Sequence, residues 1–153
     1  MVVYGLSLTL LCFLLPALST KVAFHALIRD QAIPFTVRKN DVIKFNQVHT
    51  NVGVAYNKDT GIFVAPISGV YFFTLNIVAK EGDFVEASIV KNDIIQATAV
   101  SDVRAKTWDQ GSASAVLYLE KGDNVGVKVL YPFGIHVLSG HGKTSFGGYL
   151  VSL

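Results

Sequence analysis

Cysteine is almost missing from this chain: Cys12 is the only one. It lies inside an apolar N-terminal run, so a domain that begins beyond that run can form no disulfide. Such a domain must be held by core packing, with self-association as an additional means. Charge of one sign is also lacking. A net charge of +2 is too small to argue for binding nucleic acid or for insertion into an anionic membrane. No Asn-x-Ser/Thr sequon occurs, which excludes N-glycosylation. Beyond Leu15 no apolar run is long enough to span a bilayer, and no segment carries the 3.6-residue periodicity of an amphipathic helix.

Motifs for catalysis are lacking as well. Gly142-Lys143-Thr144 resembles the end of a phosphate-binding loop, but Val137 stands where that motif needs its first glycine. The segment after it reads as a strand, whereas phosphate binding needs a helix N-terminus there. There is no Gly-x-Ser-x-Gly elbow and no cysteine nucleophile outside the N-terminal run. His136 and His141 are five apart in a glycine-rich stretch, a spacing that matches no helical zinc pair, and His25 and His49 are isolated in sequence. The chain is not expected to be an enzyme.

The N-terminus itself reads as a secretory leader. Leu6 to Leu15 has the length of a leader's hydrophobic core, Pro16 breaks it, and Ala17 and Ser19 supply the small residues of a cleavage site. Residues 1–19 are therefore expected to be a signal peptide and residues 20–153 one secreted domain, with no membrane insertion of the mature chain.

The domain is patterned with the two-residue period of strands. Tyr71, Phe73, Leu75 and Ile77 share one face of a segment whose other face, Val70, Phe72, Thr74, Asn76 and Val78, is also largely apolar. A strand of this kind is expected to be buried on both sides, within a sandwich or against another subunit. Similar alternation recurs around Val85 to Ile89, Ser112 to Leu119 and Asn124 to Val129. Asn57-Lys58-Asp59, Glu81-Gly82-Asp83, Lys91-Asn92-Asp93 and Lys121-Gly122-Asp123 supply turns between the runs. This pattern predicts an all-β sandwich or jelly roll. Phe24, Phe45, Phe63, Tyr71, Phe73 and Phe146 are its expected core.

Phe45, Asn51, Tyr56, Phe63 and Gly69-x-Tyr71-x-Phe73 resemble the signature of the complement C1q-like globular domain, with Leu75 where the family usually has another aromatic. Val22 to Leu27 resembles that family's opening strand, Leu119 to Val125 its Leu-x-x-Gly-Asp-x-Val turn, and Ser145 to Leu150 its closing strand. The resemblance implies a ten-stranded jelly-roll sandwich of C1q/TNF type that assembles as a homotrimer. Without a collagen-like repeat, the chain is similar to head-only secreted members. It further implies non-catalytic recognition of microbial surface molecules or glycans in innate immunity. The alternative is a cerebellin-like trimeric ligand for a protein receptor.

Two groups of residues are the candidate sites. Trp108, Tyr131 and Phe133, in two loops with Pro132 stiffening the second, are candidate ligand-binding anchors. The same residues would also suit capping the sandwich or sealing a trimer. Asp102 and Asp109 are the candidate calcium ligands. Asp109-Gln110-Gly111-Ser112 resembles the family's Asp-Gln-x-Ser, while its upstream acidic partner aligns with Ser101, one residue short of Asp102. Arg104 and Lys106 stand between them.

Overall fold

The computed structural model describes residues 20–29, 34–105 and 108–153. The leader read at residues 1–19 and the cation Lys106 lie outside these. The described residues form twelve strands and no helix: β1 Ala23–Leu27, β2 Phe35–Val37, β3 Gln47–Val52, β4 Tyr56–Asn57, β5 Ile62–Val64, β6 Gly69–Ile77, β7 Phe84–Lys91, β8 Ile94–Asp102, β9 Gly111–Leu119, β10 Asn124–Tyr131, β11 His136–Leu138 and β12 Ser145–Ser152. Ten of them make two five-stranded sheets, ordered β3-β1-β12-β6-β9 and β4-β5-β10-β7-β8, and β2 and β11 form a separate two-stranded ribbon. The sheets stack as a jelly-roll sandwich, and each of the four turn clusters read from the sequence connects two strands that follow one another in the chain.

The aromatic residues expected in the core fill the space between the sheets. Phe24, Phe45, Phe63, Tyr71, Phe73 and Phe146 are all buried. Phe24 lies 5.0 Å from Phe146 and 5.3 Å from Phe63, and Phe63 lies 5.3 Å from Phe73. These centroid separations are those of attractive ring pairs, each adding about 0.5–1.5 kcal/mol beyond its buried area.

The spaced signature has a local explanation too. Asn51 reaches the next strand, where its Nδ2 donates to the Tyr56 carbonyl at 2.8 Å and its Oδ1 accepts from the Tyr56 amide. The hydroxyl of buried Tyr56 then binds the backbone of Phe45. Asn51 thus fixes the backbone of Tyr56, and Tyr56 ties down Phe45. Gly69 is required by close approach: a Cβ there would stand 2.5 Å from the Ser152 carbonyl oxygen.

Within one chain the two faces of this segment differ, although Val78 of the outer set is buried. β6 is buried on the face of Tyr71, Phe73, Leu75 and Ile77, but Val70, Phe72, Thr74 and Asn76 are only half-buried. They sit on the outer face of the first sheet, flanked by β12 and β9. Among the described residues no further layer packs above them. Around them Val116 is 67% exposed and Tyr118 60%, with Tyr149 and Val151 also exposed. In register, Phe72 lies between Val116 and Tyr149, so the apolar residues form a continuous stripe.

Candidate functional site: the loop end of the sandwich

Strand register brings the sequence candidates to one end of the molecule. β6 ends at Ile77 opposite Gly111, where β9 begins. β7 begins at Phe84 opposite Asp102, the last residue of β8, and β10 ends with Tyr131 opposite Glu86. The loops after β6, β8, β10 and β11 therefore share that end, and Trp108, Tyr131, Phe133, Asp102 and Asp109 are all on it or beside it.

The three aromatics are exposed; Trp108 and Phe133 each meet a cation, and Tyr131 reaches one through Phe84. Trp108 is 65% exposed, and the Lys143 ammonium stands 3.9 Å from its ring centre. Trp108 and Lys143 flank a shallow recess of about 430 Å³, with Val78, Asp109 and Gln110 as the other walls. Phe133 is 74% exposed, with Lys39 at 4.1 Å from its ring. Tyr131 is 48% exposed and meets Phe84 edge-on at 5.6 Å, and the Arg104 guanidinium covers Phe84 at 4.6 Å. A cation over a ring face is attracted by its quadrupole, by about 0.5–1 kcal/mol when exposed. Each pair presents an apolar plate beside a positive charge.

Asp102 and Asp109 come together, though not as a pair of open carboxylates. One Asp109 oxygen accepts from the Asp102 amide at 2.8 Å. The Asp102 carboxylate is gripped by Arg104 in a bidentate pair, Nη2 to Oδ2 at 2.7 Å and Nε to Oδ1 at 2.9 Å. That hydrogen bond, with the aspartate's charge, raises the Arg104 pKa above its ordinary value. Ser101, which aligns with the family's upstream acid, points the other way. It is fully buried, accepting from Ala79 and donating to the Asp109 carbonyl. Neighbouring residues of a strand face opposite sides, so the one-residue offset turns Asp102 outward to Arg104. Calcium takes six to eight oxygen ligands. One chain offers two carboxylates here, and among the described residues no three of His, Cys, Asp and Glu gather as a metal cluster.

Sequence reasoning missed His136 as an anchor. Its Nδ1 lies 2.8 Å from Asp83 and its Nε2 lies 3.1 Å from the Phe133 carbonyl, while the other Asp83 oxygen accepts from the Val137 amide. Burial lowers the His136 pKa, but the hydrogen bonds to Asp83 and Phe133 and the charge of Asp83 outweigh it, so the net shift is upward. Phe84 and Lys39 were missed as well, while Arg104 and Lys143 were noted in the sequence but not as partners of Asp102 and Trp108.

Against known proteins, the profile of the C1q domain matches residues 23–151. The chain belongs to the C1q domain family. A mussel relative from Mytilus edulis, the heavy metal-binding protein HIP, is 31% identical over 116 residues, covering 72% of this chain and 52% of that protein. The chain thus spans about half the length of that C1q-domain relative. Among solved structures, the globular domain of zebrafish complement 1qA superposes with a TM-score of 0.68 at 20% identity, covering 85% of this chain and 97% of the other. Eiger TNF from S. frugiperda gives 0.65 at 15% identity, with 87% and 94% covered. Murine APRIL gives 0.64 at 14% identity, with 86% and 99% covered. At these identities the likeness is one of fold, the C1q/TNF jelly roll. C1q-type domains are generally recognition or ligand modules that do no catalysis.

Proposed function

We propose that this protein is a secreted, non-catalytic recognition molecule of innate immunity, assembled as a homotrimer and binding microbial surface glycans through its loop end. The observation that carries this reading is the set of exposed aromatic plates, Trp108, Tyr131 and Phe133, each joined directly or through Phe84 to a cation. An aromatic ring offers a flat apolar contact to the C–H face of a sugar, and an adjacent ammonium or guanidinium favours acidic sugars and phosphorylated cell-wall polymers. Three copies on one side of a closed trimer would turn weak single contacts into avid binding.

The apolar stripe on the outer face of the first sheet supports self-association. It exposes Val116, Tyr118, Tyr149 and Val151 around Phe72, and domains of this family typically form trimers. Calcium belongs to the same proposal. It would be held by Asp109 carboxylates from several copies, with Asp102 joining only if it leaves Arg104. Secretion rests on the leader at residues 1–19 and on the habit of C1q-domain relatives. Among the described residues no helix is long and apolar enough to cross a membrane.

The test is a glycan and bacterial-cell array probed with the confirmed trimer, and with Trp108→Ala and Phe133→Ala. The expected result is binding that each substitution weakens about tenfold or more, since truncating an aromatic anchor costs on the order of 2 kcal/mol. Silence on every glycan and cell wall, with saturable and protease-sensitive binding to host cells, would overturn it in favour of a receptor ligand.

A further inference from the structure

His25 and His49 are 24 residues apart in sequence, yet they meet on the outer face of the first sheet. Their rings stand edge to face with centres 6.0 Å apart, and both residues are exposed. A β-bulge makes the meeting possible. His25 lies opposite Thr50 and Ala26 opposite Val48, so His49 is the extra residue between two ladder pairs. Val48 keeps its inward position against the core, while His49 is freed to turn out with Thr50. A bulge at a sheet edge commonly re-aims a side chain in this way, and β3 is the edge strand.

Neither imidazole has another recorded partner among the described residues; their one recorded interaction is with each other. Among the described residues no carboxylate or ammonium is paired with them, so their ring nitrogens remain available as donors. A metal bound to imidazole stands about 2.0–2.1 Å from the nitrogen, which puts two ligating rings roughly 5–6 Å apart between centres. The observed 6.0 Å lies at that limit, within reach of a small side-chain rotation.

We infer that His25 and His49 form a two-imidazole seat for a divalent transition-metal ion. The seat is distinct from the oxygen-rich loop end that calcium would require. All-nitrogen protein ligation selects copper, nickel and zinc over calcium, with copper first in the usual order of stabilities. Two protein donors leave the remaining positions to water or to a donor from a bound molecule or a second copy.

The experiment is calorimetric titration of the full, tag-free protein with copper, nickel, zinc and calcium chlorides, repeated on His25→Ala, His49→Ala and His141→Ala. The expected result is one copper or zinc ion per chain, with affinity falling about tenfold or more in each of the first two variants and unchanged in the third. Calcium heat should be the same in H25A and H49A as in the parent. Circular dichroism confirms that the exposed substitutions leave the fold intact. Copper and zinc affinities that both H25A and H49A retain in full would overturn the seat, as would the absence of any saturable copper or zinc binding by the parent protein. A loss confined to His141→Ala would also overturn it.

Discussion

At the scale of single residues, position in the fold decides what each polar group does. The Tyr56 hydroxyl is buried and satisfied by both backbone groups of Phe45, and burial raises its pKa far above the ordinary phenol value. Tyr56→Phe removes only the hydroxyl and leaves the Phe45 amide without its acceptor. A loss of about 1–3 kcal/mol is expected, the usual penalty for a buried unpaired group, read as a lower urea midpoint at unchanged slope. His136 behaves oppositely to an acid. Its folded pKa is raised above the ordinary 6.5, so the protonated ring contributes stability that is complete below about pH 6.5 and fades as pH rises through the folded value. The melting temperature should therefore decline on the alkaline side of pH 6.5. His136→Gln should flatten that part of the profile, and an unchanged slope would remove His136 as its source.

At the scale of elements, turns are locked to one another across the sheet. Asp123, in the β9–β10 turn, accepts from Asn92 at 2.9 Å, from the Glu120 amide at 2.9 Å and from Lys91 at 3.0 Å. Asn92 in return accepts from the Asn124 amide. The β7–β8 hairpin and the β9–β10 turn are thereby fastened together. These hydrogen bonds hold the Asp123 pKa at about 2, below its ordinary 3.8. The sign follows from linkage: the lock is fully present above pH 3.8 and is lost as pH falls toward 2. Asp123→Asn should be less stable at neutral pH and lose less on acidification over that window, as measured by thermal melts. Within the core, Phe146 lies beside Phe24 and Phe73 of its own sheet, beside Phe45, and across the sandwich beside Tyr56 of β4. Phe146→Ala should cost about 3–5 kcal/mol by chemical denaturation.

At the scale of the whole molecule, the half-open face of the first sheet is the dominant feature. Its apolar stripe runs through Phe72, Val116 and Tyr149 in register. A charge in the middle of that stripe is unfavourable once a second copy covers it, whereas in a lone chain it points into water. Val116→Glu should leave the fold intact and convert a trimer into monomers by light scattering. A variant that keeps the trimer mass would place the contact elsewhere. The same measurement with and without calcium tests whether Asp109 residues of several copies meet, because an ion shared between subunits stabilises only the assembled form.

Sequence by itself determined the all-β class, the longer alternating strands such as β6, β7, β9 and β10, the turns beside them and the family. Alternation with period two, turn residues at fixed places and an aromatic signature are local patterns that survive in one dimension. Phe24, Phe45, Phe63, Tyr71, Phe73 and Phe146 were therefore legible as core. Which strand lies beside which, and in what register, belongs to the tertiary structure. Only that register turned the Phe72 side of β6 outward and brought Lys143 over Trp108. It also gave Asp102 to Arg104 and set His25 beside His49 across a bulge. The reason is physical: a one-residue offset reverses the face a side chain occupies, and contacts between distant strands depend on packing that no local pattern encodes.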